Sequence, residues 1–215
     1  SGMGQRMREI RKGSEPRLLT EYRSRGGEYD GPNFTPVKNA IRSSLLTEQG
    51  YLCAYCMTRI TAETMKVEHW ACQSNNPRLQ LDYSNLLGCC MGSEGEKFTS
   101  QTCDTKKGDK PLKYNPSKQQ DQINNIIKYD GQGKIFSTDR EFSAQINTVL
   151  NLNKVRLVQN RSYILTSVRQ KLSSKTGKRS RTEIRRFLDD YLTLNQDGQL
   201  REYCGLVEYY LLSKI

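Results

Sequence analysis

The sequence predicts an α+β fold in which a metal-held middle follows a charged N-terminal arm and precedes a mainly helical C-terminal subdomain. Three observations predict it. Six of the seven cysteines fall between Tyr51 and Ser117, in a stretch with little regular apolar periodicity, and metal is the economical way to hold such a stretch together. Two β-branched runs flank a Gly-containing turn in INNIIKYDGQGKIFS, which reads as a hairpin. From Glu141 onward, four segments carry apolar residues at helical spacing.

Taken in order, Ser1 and Gly2 ahead of Met3 read as the scar of a cleaved expression tag and carry no fold information. RKGSEPRLLTEYRSRGGEYDGPNFTP holds three prolines and repeated glycines, so an arm is expected there, with one short helix around Arg17 to Arg23. In VKNAIRSSLLTEQ the residues Val37, Ile41, Leu45 and Leu46 sit near helical spacing, and Gly50 is the stop. The C-terminal helices are expected in FSAQINTVLNLN, KVRLVQNRSYILTSVRQKL, RTEIRRFLDDYLTL and REYCGLVEYYLLSKI. The chain thus divides into an arm over 1–44, a cysteine-rich core over 45–117, and a hairpin with helices over 118–215. No internal repeat is present.

A chain of 215 residues can bury a proper core without disulfides. Its formal net charge of +11 points to a polyanionic partner, because such a field draws phosphates by steering and counterion release. No stretch approaches the roughly 18 apolar residues of a membrane span, and no apolar signal core opens the chain, so a cytoplasmic protein is expected. Seven cysteines, an odd number, in a reducing compartment suit metal ligation better than disulfides. Cys53 and Cys56 form C-x-x-C, the spacing at which one tight turn presents two thiolates to a tetrahedral ion. Cys103 and one of the adjacent Cys89 and Cys90 would complete a four-thiolate zinc site. Such a site is closed and structural, so any catalysis must come from elsewhere. Cys72 and Cys204 are expected to be free thiols, Cys204 as packing in the last helix.

His69 in VEHWACQSN is the only histidine. Glu68 precedes it, Asn85 follows, and Asp104 stands directly after Cys103. Phosphodiester hydrolysis needs a base to activate water, a cation to stabilise developing charge, and groups that hold both in line. A neutral imidazole, oxygen ligands for Mg²⁺ and nearby lysines supply these types. Each residue also has an ordinary use: His69 as a half-buried aromatic, Asn85 in a turn, Asp104 at a helix start.

In this order, CAYC, VEHW, DYSNLLGCC and CDTKKGD resemble the HNH endonucleases, whose core is a ββα-metal (His-Me) finger. EIRKGSEPRLLTEYR, SLLTEQGYLCAYC and LNLNKVRLVQNR extend the likeness to the PtuB-type nucleases of Septu and retron-associated anti-phage systems, from about Arg8 to Arg161. The resemblance implies a Mg²⁺- or Mn²⁺-dependent endonuclease. In it His69 is the general base, Glu68 and Asp104 hold the catalytic metal, Asn85 orients the histidine, and Lys107 is the basic residue that follows. Asp104 departs from the usual His or Asn at its position, yet aspartate is a good ligand for a hard cation. The family's apolar residue before its third cysteine implies Cys89 as that residue, leaving Cys53, Cys56, Cys90 and Cys103 on zinc. The MGSEGEKFTSQT insertion is longer than in compact members and would suit a mobile substrate loop.

The segment KLSSKTGKRSRTEIRR holds seven basic residues and one acid. Lys171, Lys175, Lys178, Arg179, Arg181, Arg185 and Arg186, together with Lys106, are therefore expected to meet nucleic acid. The resemblance adds a partner, a PtuA-like ABC-type ATPase, and in retron systems a reverse transcriptase with its RNA and DNA products. DNA is favoured as substrate and host tRNA is the alternative. A zinc-stapled adaptor that binds nucleic acid without cutting is the non-enzymatic one.

Overall fold

The structure is a computed structural model that describes residues 9–174 and 176–215. Its order is α1 (Arg17–Ser24), α2 (Thr35–Gln49), β1 (Met65–His69), β2 (Leu86–Cys90), α3 (Cys103–Lys107), α4 (Ile123–Ile126), β3 (Ile127–Tyr129), β4 (Ile135–Ser137), α5 (Arg140–Thr148), α6 (Val155–Ser173), α7 (Arg181–Leu192) and α8 (Cys204–Leu212). Strands β1 and β2 form one antiparallel pair, and β3 and β4 another. The architecture is α+β.

Helix α2 buries Val37, Ile41, Leu45 and Leu46 on one face. It stops where Gly50 takes the left-handed conformation, φ 60°, and turns its N–H back onto the Leu46 and Thr47 carbonyls. Only glycine adopts that conformation without cost. Further on, Ser180 and Glu183 cap α7 reciprocally: the Ser180 N–H donates to Glu183 Oε2 at 2.9 Å and the Glu183 N–H to Ser180 Oγ at 3.2 Å.

The β3–β4 hairpin is held against α6 by Arg161, whose guanidinium donates to the carbonyls of Gly133 and Leu152 and is fully buried. Gly133 is forced by this approach. A Cβ there would lie 2.8 Å from the Ser162 nitrogen, and its φ is +89°.

The cysteine-rich middle is not short of apolar core. Leu52, Tyr55, Ile60, Met65, Leu81, Leu86 and Leu87 are buried in the same cluster as Leu165 of α6 and Leu206 and Val207 of α8. They come from turns and five-residue strands, which are too short to show a period. Two tethers bring the flanking parts onto this middle. Arg59 donates to the Leu200 carbonyl and its N–H to Glu202 Oε1 at 2.7 Å, tying the chain before α8 to the C-x-x-C turn. Lys12, in the arm, is ion-paired to Glu48 of α2 at 2.6 Å and also donates to the Leu86 carbonyl at 2.9 Å. No described helix is long and apolar enough to cross a membrane.

Candidate active site

Strand β1 carries Glu68 and His69, the turn into β2 carries Asn85, and α3 carries Asp104 and Lys107. In register, His69 faces Leu86, Glu68 faces Leu87 and Met65 faces Cys90, and α3 packs on β2.

The four cysteines meet first. The thiol sulfurs of Cys53, Cys56, Cys90 and Cys103 all lie within 4.8 Å of one another, with Cys56 and Cys90 3.7 Å apart. A tetrahedral zinc with bonds of about 2.3 Å sets its sulfurs roughly 3.8 Å apart, so the set fits the ion. Strand alternation places Cys89 on the opposite face from Cys90, fully buried, where burial pushes its thiol up to about 12. Burial likewise holds the Cys53 thiol well above its ordinary range, whereas hydrogen bonds from Cys103, Cys53 and Cys56 hold Cys90 well below. Four cysteines converging in one buried pocket suit a divalent cation, which would hold them as thiolates.

Tyr55, inside the same turn, links this knot to Glu68. Its hydroxyl donates to Glu68 Oε1 at 3.0 Å. Glu68 is buried, and its other partner is Lys107, whose ammonium is wholly buried 2.9 Å from Oε1. The Lys107 ammonium therefore faces Glu68 from within, and it also donates to the Gly108 carbonyl at 3.2 Å. Burial, with the Asp104 carboxyl hydrogen-bonded beside it, pushes Glu68 well above the carboxylate range against the pull of Lys107. Two adjacent carboxyls of which one is buried need a proton or a cation between them. Asp104 is the more accessible of the two, with its side chain 16% exposed and Lys66 Nζ at 3.5 Å. Among the described residues the cysteines are the only group of three or more such ligands that converges; Glu68 and Asp104 are a pair.

His69 ends β1. Its Nε2 lies 3.0 Å from the Gln80 carbonyl oxygen, which can only accept. In the neutral ring Nε2 therefore carries the proton and Nδ1 is the free base. Burial lowers the His69 pKa below its ordinary value, so the neutral ring prevails at pH 7. Asn85 braces the loop that follows: Oδ1 accepts from the Ala71 N–H at 2.8 Å, and Nδ2 donates to the carbonyls of Ala71 at 3.0 Å and Leu79 at 3.4 Å. Leu79 precedes the residue that holds His69, so Asn85 fixes both ends of the segment around the imidazole.

The arm also reaches the site, a contribution that the sequence pattern misses. Tyr29 packs edge-on against His69, with ring centroids 4.5 Å apart at 78°, and its N–H donates to the Gln80 side chain at 3.1 Å. Lys38 of α2 lies 5.4 Å from the Tyr29 ring centre and pairs with Asp30 at 2.7 Å. One turn on, Arg42 exerts its charge on the Tyr29 hydroxyl, and its Nε is buried with no protein partner. Spacing gave no sign of these residues, since no motif connects an arm tyrosine to a histidine forty positions away.

The basic segment makes local contacts of its own. Lys171 lies over the Phe187 ring at 4.6 Å, and Arg179 closes its own loop by donating to the Leu172 carbonyl at 3.0 Å while pairing with Glu183. Lys178, Arg181, Arg185 and Arg186 are exposed, and Lys175 lies outside the described residues. Lys106 is largely buried under the Phe98 ring, 3.4 Å from its centre.

No family model matches the chain. It is 32% identical over 139 residues to a Vibrio cholerae serotype O1 biovar El Tor protein named "Retron Vc95 putative HNH endonuclease", covering 60% of this chain and 65% of the relative. It is 27% identical over 118 residues to the Escherichia coli protein "Retron Ec83 putative HNH endonuclease", covering 47% of this chain and 46% of the relative. The chain thus spans less than two thirds of the length of either curated relative. Both relatives are named as putative HNH endonucleases of retrons.

Proposed function

We propose that the protein is a metal-dependent HNH endonuclease that hydrolyses nucleic-acid phosphodiester bonds, DNA in preference to RNA, through a ββα-metal core. The observation that carries this reading is the 3.0 Å contact of His69 Nε2 with the Gln80 carbonyl oxygen, which leaves Nδ1 as the base, on the strand end adjoining the Glu68 and Asp104 carboxyls. In this scheme Nδ1 takes a proton from water as the water attacks phosphorus, and the P–O bond to the leaving oxygen breaks. Asp104, with Glu68 behind it, would hold a divalent cation, Mg²⁺ or Mn²⁺, which when bound supplies charge stabilisation to the leaving oxygen. Lys107 keeps Glu68 in place and balances its charge. Arg42 adds a positive charge beside Tyr29, on the His69 side. Zinc on Cys53, Cys56, Cys90 and Cys103 holds the scaffold.

The retron association of the relatives and the PtuB-like motifs extend the reading to an anti-phage effector controlled by a PtuA-like ABC-type ATPase and acting in the cytoplasm, with a reverse transcriptase and its nucleic-acid products as further partners. Lys171, Lys175, Lys178, Arg181, Arg185 and Arg186 serve as its basic nucleic-acid-binding segment.

Purified protein, with and without the ATPase, is incubated with phage DNA and total host RNA in Mg²⁺, in Mn²⁺ or with neither added. Cutting is expected only with metal, and His69→Ala should abolish it while zinc content and circular dichroism stay unchanged. Cutting by His69→Ala at the wild-type rate would refute the assignment. Salt-sensitive binding without metal-dependent cutting would instead support the zinc-stapled adaptor.

A further inference from the structure

The insertion between Cys90 and Cys103 is folded back on itself rather than splayed. Its ends are joined: the Thr102 N–H donates to the Gly92 carbonyl at 2.9 Å, and Thr105 Oγ1 to the Met91 carbonyl at 2.9 Å. Gly92 is required at this closure, because a Cβ would meet the Thr102 carbonyl oxygen at 2.2 Å and its φ is +54°. The tip is fastened from outside. Lys106 donates to the Phe98 carbonyl at 2.9 Å, Lys154 to the Thr99 carbonyl at 3.1 Å, and Asn151 to the Gln101 carbonyl at 2.9 Å.

This fastening holds Phe98 at the surface, where a phenylalanine is 54% exposed. Lys106 backs the ring at 3.4 Å and Lys110 stands 5.6 Å from its centre. Charge repulsion from Lys110 and Lys154 acts on Lys106, so the three ammoniums are crowded together. The partners of Lys106 and Lys154 are loop carbonyls and that of Lys110 is the ring; among the described residues no carboxylate is ion-paired to them. On the other side of the loop Lys66 bridges Glu94 at 3.0 Å and Asp104 at 3.5 Å, which couples the loop to the candidate metal ligand. A fixed aromatic face surrounded by unbalanced cations is the chemistry that receives an unpaired nucleobase and its flanking phosphates.

We propose that Phe98, with Lys106, Lys110 and Lys154, forms a stacking site for an unpaired base of single-stranded nucleic acid, next to the candidate active site. A duplex keeps its base faces covered, so the site selects a single strand, a flap or a flipped base. The inference rests on the nuclease reading only for its purpose, since binding can be measured without cutting.

The test is fluorescence anisotropy with labelled single-stranded DNA, single-stranded RNA of the same sequence, and the corresponding DNA duplex, without added Mg²⁺ or Mn²⁺ and in the His69→Ala background. Phe98→Ala is expected to weaken single-strand binding about tenfold or more and duplex binding little, with Phe98→Trp restoring it. Lys110→Ala should lower the slope of log affinity against log salt by about 0.7. The DNA and RNA arms distinguish which strand is held. Unchanged single-strand affinity in Phe98→Ala overturns the stacking site, and so does an equal loss on duplex and single strand. If the wild type cuts nothing while Phe98 dependence persists, the nuclease reading fails and the binding site stands.

Discussion

Asn85 brackets Ala71 with two hydrogen bonds, its Oδ1 accepting from the Ala71 N–H at 2.8 Å and its Nδ2 donating to the Ala71 carbonyl at 3.0 Å. One amide side chain thereby satisfies both backbone groups of the residue two positions beyond His69. Replacing it with Ala leaves those groups without partners at a costs of about 1–3 kcal/mol. Asn85→Ala should therefore unfold at lower denaturant and cut more slowly, while Asn85→Asp keeps the acceptor and loses only part of each. Equal cleavage rates for wild type and Asn85→Ala would remove the brace from the account.

Lys107 and Glu68 are a buried pair, and removing either partner strands the other. Lys107→Met should destabilise the fold by about 3–5 kcal/mol in a denaturation titration, whereas the double variant Glu68→Gln/Lys107→Met should recover much of it. A loss in Lys107→Met that the double variant does not recover would mean that the ammonium matters for something other than Glu68.

Arg42, not Lys107, is expected to govern substrate affinity. Arg42→Met should raise KM for cleavage and leave zinc content and thermal stability near wild type, because its guanidinium makes no protein hydrogen bond at Nε. A steep drop in stability with unchanged KM would assign it to packing.

The pH dependence follows from His69. Burial lowers its pKa, so the proton that must leave before Nδ1 can act as base is lost below the ordinary value of about 6.5. The acid limb of the kcat/KM profile should fall below pH 6.5, with activity lost as pH drops through the lowered value and retained through neutrality. The same shift makes the folded state bind fewer protons than the unfolded chain over that window, so His69 contributes a decrease of stability as pH falls below about 6.5. An acid limb above pH 7 would contradict a buried neutral imidazole.

Metal analysis should find about one zinc per chain, lost in Cys53→Ser and retained in Cys89→Ala, with chelation lowering the melting temperature. Full occupancy in Cys53→Ser would take Cys53 out of the ligand set, and loss in Cys89→Ala would bring Cys89 in.

The sequence by itself determined the local features. Periodicity and stop signals located α1, α2 and the C-terminal helices, because a helix face repeats every turn and Gly50 marks its end. β-branched runs around a glycine located the β3–β4 hairpin, and C-x-x-C located half of the cysteine knot. The short strands β1 and β2 carried no period, and the core of the middle region was invisible for the same reason. Only the tertiary structure decided what each polar group faces. It turned Lys107 inward onto Glu68, brought Tyr29 from the arm to the edge of His69, and closed the insertion so that Phe98 stands over Lys106 of α3. Such contacts join residues far apart in the chain through burial and charge balance, and neither quantity exists until the chain has folded.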